Sequence, residues 1–265
     1  MTTGLSTVLQ NMSDKSVLVH IGPGILYDYL DYARFTGKTF VFEPDTNRCS
    51  SLSASYENNE RVAIFEIACV TDNEPAKLRC YSFSILNSTN PECARLRLTY
   101  PNLHLLDTYL VDSLPAKDIE SRLPTSQQND DVLLIDRSDD AIAILDTLDQ
   151  SNLIKRFRTV ILRCMSVQTG GADEELDACK RWFATRYFDG PVLLNPPEFP
   201  VRICAFSRNT EKRKIARLEA ALAESEHRLE QATATENLLR ADLSELRDRY
   251  SETQSKLASY GKSAE

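Results

Sequence analysis

The chain has 265 residues, of which 42% are hydrophobic, so it is long enough to bury a sizeable core. Its formal net charge of −8 disfavours a nucleic-acid partner or an anionic membrane surface, because both bind clustered Lys and Arg. The sequence has no apolar run of about 18 residues, and it therefore predicts no membrane span.

The cysteines and histidines predict neither a metal site nor a disulfide framework. The seven cysteines are odd in number and include no CxxC pair. His104 and His227 have no Cys or carboxylate at ligand spacing. The first residues lack the basic and apolar regions of a secretion signal. We therefore expect reduced structural cysteines in a cytoplasmic protein.

After a lead-in at residues 1–14, apolar strand-like segments alternate with amphipathic segments over residues 15–208. The predicted strands are 16–21, 38–43, 61–68, 77–83, 131–136, 158–164, 191–195 and 201–206. The predicted helices are 26–35, 46–57, 116–122, 140–149 and 173–188. Several strands are continuous apolar runs, which is typical of a sheet covered by helices on both faces. The sequence thus predicts an α/β domain with a doubly wound, mostly parallel Rossmann-like sheet that ends in an antiparallel hairpin.

Residues 209–260 have the pattern of a long coiled-coil helix, and residues 261–265 follow as a short tail. With Ile215 at position a, apolar residues recur at the a and d positions of unbroken heptads. The g and e positions that pair opposite charges in a parallel dimer are Lys214 with Glu219 and Asp242 with Arg247. We therefore predict self-association as a parallel homodimer, with a stalk on which another protein could also dock.

The first predicted strand leads into a glycine turn, in the segment HIGPG. Gly22 and Gly24 allow close approach to the backbone because neither carries a Cβ, and Pro23 stiffens the turn. Glu43 ends the second strand, about 20 residues beyond the turn, where a carboxylate accepts hydrogen bonds from both hydroxyls of a ribose. The pattern predicts a site for an adenosine-containing cofactor.

The turn also narrows the choice of cofactor. A dinucleotide fingerprint requires a third glycine, but bulky Tyr27 stands at that position and prevents close packing of helix on strand. A nicotinamide dehydrogenase is therefore disfavoured. S-adenosylmethionine, which carries adenosine without a pyrophosphate, fits this turn better.

The segments VLVHIGPG, VFEPD and IFEIACVTDNEPAKLRCYSF occur in the order and spacing of class I S-adenosylmethionine-dependent methyltransferases. The chain most resembles their FkbM-type family, over residues 15–207, through LLIDRSDDAIAIL, RTVILRC and GPVLLNPPEFPVRICAFSRN. The resemblance implies the seven-stranded methyltransferase sheet with an antiparallel last strand, and O-methylation of a sugar or polyketide. It also implies that Gly22 and Gly24 lie under the methionine part of the cofactor, that Glu43 holds the ribose, and that Ala68 lies near the adenine.

The chain departs from the family pattern in the half of the site that would transfer the methyl group. His20 stands where the family usually has an acid, and Leu26 stands where the family's own turn has its third glycine. After the fourth strand the family usually has Asp-x-Glu-Gly, whereas this chain has Asp136-Arg137-Ser138-Asp139 and lacks the glutamate and the glycine. His20 is a candidate general base, since an imidazole pKa of about 6.5 suits proton removal, and Asp136 is a candidate for orienting a substrate hydroxyl. A purely structural role stays open for both.

Two functions therefore remain open. The first is an O-methyltransferase for a sugar or glycan, oligomerised through its coiled coil, and the glycine turn with Glu43 favours it. The second is a non-catalytic methyltransferase-like head that binds or scaffolds on a coiled-coil stalk, and His20 and the altered fourth-strand segment favour it. The fold alone does not decide between them.

Overall fold

The structure is a computed structural model that describes residues 3–24, 30–89, 100–125, 130–137, 140–165, 174–194 and 201–262. It contains two compact units, Met1–Asn209 and Thr210–Glu265. No helix in the described ranges is long and apolar enough to cross a membrane.

The first unit alternates strands and helices, as the sequence predicts. Its helices are α1 (Thr3–Gln10), α2 (Thr46–Ser55), α3 (Ala141–Gln150) and α4 (Glu174–Ala184). Its strands are β1 (Val17–Ile21), β2 (Lys38–Phe42), β3 (Val62–Phe65), β4 (Ala68–Val70), β5 (Ala76–Tyr81), β6 (Leu105–Val111), β7 (Ser113–Pro115), β8 (Asp131–Ile135), β9 (Phe157–Met165), β10 (Phe188–Leu193) and β11 (Val201–Arg208). Short 3₁₀ segments lie at Tyr32–Arg34, Ser84–Leu86, Ala116–Arg122 and Leu153–Arg156.

Seven strands form the central sheet, in the order β10-β11-β9-β8-β1-β2-β3. β1 pairs in parallel with both β2 and β8, whereas β11 is antiparallel to both β9 and β10. The predicted mostly parallel, doubly wound sheet with a terminal antiparallel hairpin is thus confirmed. Because the chain leaves β1 toward β2 and later returns to its other side at β8, the carboxyl end of β1 is a topological switch point.

Both faces of the sheet are covered, and β1 shows why its run is apolar throughout. Val17, Val19 and Ile21 belong to the core under α3 and α4, whereas Leu18 belongs to the core under α1 and α2. Successive side chains of a strand point to opposite faces, so a strand covered on both faces has no position for a solvated side chain. All five residues of β1 are buried.

Two parts of the strand prediction are wrong. The predicted strand 61–68 is divided into β3, which joins the central sheet, and β4, which pairs with β7. The segment predicted at 77–83 forms β5 outside the central sheet, in an antiparallel pair with β6. The predicted strands do not include β6, because most of its side chains are exposed and its apolar residues do not mark one buried face.

Two helix predictions differ in kind from the structure. Ala116–Arg122 is a 3₁₀ helix. The predicted helix 26–35 falls in part on residues outside the described ranges, and its described end is a 3₁₀ turn at Tyr32–Arg34, where the Asp31 side chain accepts a hydrogen bond from the Ala33 N–H.

The second unit consists of α5, Thr210–Lys262, which covers the predicted coiled-coil segment. Up to Tyr250, the large apolar side chains at its a and d positions are exposed in the single chain, between 53% for Ile215 and 69% for Leu229. The helix is confirmed, and its pairing into a coiled coil stays a prediction.

Candidate cofactor site

The predicted site lies where β1, β2 and β8 end at one edge of the sheet. The Gly22 N–H donates a hydrogen bond to the Phe42 carbonyl oxygen at 2.9 Å, and the Asp136 N–H donates one to the Ile21 carbonyl oxygen at 3.0 Å. These bonds hold the glycine turn between the segment that follows β2 and the segment that follows β8. Glu43 begins the former, and Asp136 begins the latter.

Position 22 requires a glycine because of its backbone conformation and because the Arg137 side chain lies against it. Its φ is +62°, a conformation that side-chain-bearing residues adopt at a cost. A Cβ on Gly22 would lie 2.7 Å from Cγ and 2.8 Å from Cδ of Arg137. The aliphatic part of the Arg137 side chain therefore fills the space against this glycine.

Arg137 is held by groups from three segments of the chain. One terminal nitrogen donates to the Cys69 carbonyl oxygen at 2.8 Å, and the other donates to Thr89 Oγ1 at 2.6 Å and forms an ion pair with Asp140. Only 13% of its side chain is exposed. Charge-assisted hydrogen bonds of this kind are among the stronger ones in proteins, so this conformation is well anchored.

Gly24 and the buried Pro23 face a second buried ion pair. A Cβ on Gly24 would lie 3.3 Å from Asp136 Oδ2 and 3.5 Å from Arg163 Nη2. Arg163 forms an ion pair with the Asp136 carboxylate and donates to the Asp136 carbonyl oxygen at 2.8 Å. Both side chains are buried, so each charge depends on the other to offset its loss of hydration.

Glu43 is a buried carboxyl group with one engaged oxygen. Oε1 accepts a hydrogen bond from the Asp45 N–H at 2.8 Å, and Oε2 lies 4.0 Å from a terminal nitrogen of Arg48. Burial raises the pKa of Glu43 to about 7, although the Asp45 hydrogen bond and the Arg48 charge both oppose that shift. In the described part of the chain no donor forms a hydrogen bond with Oε2.

Asp45 joins Glu43 to a neighbouring cavity. Its carboxylate caps α2 by accepting from the Asn47 N–H at 3.0 Å, and it also accepts from Asn87 Nδ2 at 2.6 Å. Asp45 and Arg48 line a cavity of about 540 Å³ between α2 and the β5–β6 pair. That volume is within the range of about 300–1,000 Å³ found for small-molecule sites.

His20 lies inside the sheet rather than at its edge. Its ring is fully buried, Nδ1 is 2.6 Å from the Tyr32 hydroxyl, and Nε2 has no hydrogen-bond partner among the described residues. Burial lowers the pKa of His20 to about 3. A neutral imidazole in this position has no exposed nitrogen to offer an acceptor hydroxyl, and the geometry argues against the predicted role as a general base.

Ala68 lies at the start of β4 and is fully buried. Its N–H donates to the Asp112 carbonyl oxygen at 2.8 Å, and the carbonyl of the next residue, Cys69, accepts from Arg137. The segment predicted to lie near the adenine is therefore linked to the glycine turn through Arg137. The structure brings together all the predicted cofactor-binding segments and Asp136, but not the side chain of His20.

The sequence did not identify the three arginines of this edge, Arg48, Arg137 and Arg163, as site residues. In the sequence, Arg137 directly follows the strand-ending Asp136, and Arg163 lies near the end of the predicted strand 158–164. Their position at strand ends, beside the strand-ending Asp136, was the available signal, because the carboxyl ends of parallel strands meet at one edge.

Some predicted features lie outside the described residues: Leu26, Tyr27, Ser138, Asp139 and Cys93. None of the six cysteines in the described ranges forms a disulfide bond, and no group of three His, Cys, Asp or Glu side chains that could hold a metal ion occurs there.

No family model matches the chain, and no curated protein matches it. Among solved structures, it is similar to an rRNA methylase from Streptococcus thermophilus, with 10% identity, a TM-score of 0.44, and coverage of 78% of this chain and 98% of that one. It is similar to a dimethyladenosine transferase from Plasmodium falciparum, with 9% identity, a TM-score of 0.42, and coverage of 77% and 60%. A fibrillarin from Aeropyrum pernix with natively bound S-adenosyl-L-methionine has 10% identity, a TM-score of 0.41, and coverage of 77% and 72%. Likenesses this distant assign neither a family nor an activity.

Proposed function

We propose that residues 1–209 form a class I methyltransferase-like domain that binds S-adenosylmethionine at the carboxyl ends of β1 and β2. Glu43 carries this proposal. It is a buried acid directly after β2, beside a glycine turn at the switch point of a mostly parallel sheet, and its Oε2 accepts no hydrogen bond from the described residues. A buried acceptor oxygen in this state gains most from a ligand that brings a donor.

In this proposal the ribose hydroxyls donate to Glu43, and the segment of Ala68 lies near the adenine. The cofactor would supply an activated methyl group on a sulfonium centre. Arg48 holds its positive charge 4.0 Å from Glu43 Oε2 and favours the ionised form, which is the better acceptor. A sugar or glycan as the acceptor follows from the resemblance alone, and the proposed role of Asp136 in orienting its hydroxyl follows from its position at the end of β8.

Calorimetric titration of the full chain with S-adenosylhomocysteine tests this assignment. Glu43→Ala should weaken binding by about 1.5–3 kcal/mol, the range for a hydrogen bond to a charged group. Glu66→Ala is a matched control, because Glu66 is an exposed acid one residue beyond the neighbouring strand β3. Equal affinities of wild type and Glu43→Ala would show that the ribose assignment is wrong.

A second candidate function, a non-catalytic binding or scaffolding head, is favoured by the state of the two predicted catalytic groups. His20 is buried and neutral, and the Asp136 carboxylate is ion-paired with Arg163. Incubation with methyl-labelled S-adenosylmethionine and a set of sugars and glycans separates the candidates. Cofactor binding without any labelled product supports the head, and a labelled product supports the enzyme.

The tail supports the proposal that the chain self-associates as a parallel homodimer through residues 209–260. A heptad seam of exposed leucines, such as Leu229 at 69%, is energetically unfavourable unless another helix covers it. Leu229→Lys should shift the sedimentation equilibrium of the full chain from dimer to monomer. Leu238→Lys is the control, since Leu238 is equally exposed but lies off the seam at position c. Equal effects of the two substitutions would contradict a heptad interface.

The other partner and location predictions remain expectations of the sequence. The net charge of −8 is the ground for expecting no nucleic-acid partner. The odd number and the spacing of the cysteines are the ground for expecting a cytoplasmic location.

A further inference from the structure

We propose that Arg137 determines which ligands the site admits, because its side chain closes the space over the glycine turn to anything longer than a nucleoside. The inference rests on the proposed function, since it takes Glu43 as the ribose-binding group. It assigns a specificity role to a residue that lies outside the family's glycine and acid pattern.

The first step is steric. Cγ and Cδ of Arg137 lie within 2.8 Å of the place where a Cβ on Gly22 would be. On the resemblance to methyltransferases, the same place is where the methionine part of the cofactor would pass. The space left by the missing Cβ of Gly22 is thus already occupied by Arg137, and the amino-acid part of a ligand would have to displace the arginine.

The second step concerns how firmly Arg137 is held. Its guanidinium donates to Cys69 and Thr89 and pairs with Asp140, groups supplied by β4 and by the segments that follow β5 and β8. Moving the side chain away breaks all of these contacts together. When only a small fraction of the protein is in an open state, the apparent affinity of a ligand that needs that state is its intrinsic affinity multiplied by that fraction.

The third step is that the cation beside Glu43 is a different arginine. Arg48, not Arg137, lies 4.0 Å from Glu43 Oε2, and Arg48 is in turn bonded to the Ser84 carbonyl oxygen. A nucleoside that occupies only this side does not need the space over Gly22. Adenosine should therefore bind without movement of Arg137, whereas S-adenosylmethionine and S-adenosylhomocysteine require it.

The test is calorimetric titration of the full chain with adenosine, S-adenosylmethionine and S-adenosylhomocysteine, for wild type, Arg137→Ala and Arg137→Lys. Arg137→Ala should bind S-adenosylhomocysteine about tenfold more tightly than wild type does, as expected for an open state populated at about 10%. Its affinity for adenosine should be unchanged. Arg137→Lys keeps the aliphatic stem and the charge but loses the forked contacts of the guanidinium, so its gain should lie between wild type and Arg137→Ala.

Two features of the design keep the result interpretable. S-adenosylhomocysteine carries no sulfonium charge, so a gain with it is not the result of removing a like charge. Thr89→Val loosens one anchor without touching the glycine turn, and it should give a smaller gain in the same direction if Arg137→Ala does not fold.

The outcomes separate the inference from the function on which it rests. Equal or weaker binding of S-adenosylhomocysteine by Arg137→Ala and Thr89→Val, with adenosine still bound, overturns the specificity role and leaves the adenosine site intact. Absence of adenosine binding by wild type and all variants overturns the proposed function and this inference with it.

Discussion

The two halves of the candidate site differ in what occupies them. On the Glu43 side, one oxygen of this buried acid accepts no hydrogen bond from the described residues, and a polar cavity of about 540 Å³ adjoins the segment. Over Gly22 and Gly24, the chain's own side chains fill the space, through Arg137 on one side and the Asp136–Arg163 ion pair on the other. A glycine in a turn indicates that another group approaches the backbone closely, but it does not show whether that group belongs to a ligand or to the protein itself.

The half of the site over Gly22 and Gly24 is here called the filled half. Removing one member of its buried ion pair should have the largest effect on stability. Arg163→Ala leaves the Asp136 carboxylate buried without its partner, and we expect it to lower the free energy of unfolding by about 3–5 kcal/mol. Urea denaturation measures the change. The double variant Asp136→Asn with Arg163→Ala should recover much of the loss, because no uncompensated charge remains. A loss below about 1 kcal/mol for the single variant would contradict a buried ion pair.

The next effect tests whether Arg137 is the neighbour that Gly22 accommodates. Gly22→Ala should cost about 2–4 kcal/mol in wild type, from the strain of an L-residue at positive φ and from overpacking against Arg137. In the Arg137→Ala background only the backbone strain remains, at about 1–2 kcal/mol. A double-mutant cycle by denaturation measures this coupling. Additive costs in the cycle would show that Arg137 does not lie over the turn.

The half of the site beside Glu43, here called the open half, should give the protein a pH-dependent stability. The folded pKa of Glu43 is raised to about 7 from 4.5, so its favourable contribution is fully present below pH 4.5 and is lost as pH rises through 7. Glu43→Gln should therefore be more stable than wild type above pH 7, by roughly 3 kcal/mol, and about equal to it near pH 4.5. Denaturation curves at these two pH values measure the difference. A difference that does not change with pH would show that Glu43 is not a strained buried acid.

His20, just before the filled half, should give the smallest effect and the opposite sign. Its folded pKa is lowered to about 3 from 6.5, so the neutral form contributes stability that is present above pH 6.5 and is lost as pH falls toward 3. Wild type should lose about 1 kcal/mol between pH 6.5 and 5.5 from this group, and His20→Phe should not. Comparing the pH slopes of the two proteins checks this prediction. Identical slopes would place His20 in contact with water.

The sequence predicted the strands, the glycine turn and the acid of the site because each of them is a local sequence pattern. The apolar runs of β1 and β2, the glycines between them and the acid at the end of β2 are all readable over short windows. The occupants of the filled half are not local. Arg137 contacts Cys69 and Thr89 at separations of 68 and 48 residues, and only the folded chain brings these positions together.

His20 shows a second limit of sequence reading. A polar residue within an apolar strand can lie at the strand's end or inside the sheet, and the sequence supports both. The structure places it inside, where Tyr32 supplies its hydrogen bond from a segment that the sequence assigned to a helix. A buried polar group of this kind is recognised only once its partner is known.

The most direct test of the two-halves account is a crystal structure of the full chain soaked with adenosine and, separately, with S-adenosylhomocysteine. We expect adenosine with its ribose hydroxyls within hydrogen-bond distance of Glu43 and with Arg137 still over Gly22. The S-adenosylhomocysteine complex should show the same ribose position and Arg137 displaced from the turn. A ribose bound away from Glu43, or a homocysteine chain lying over Gly22 with Arg137 unmoved, would contradict the account.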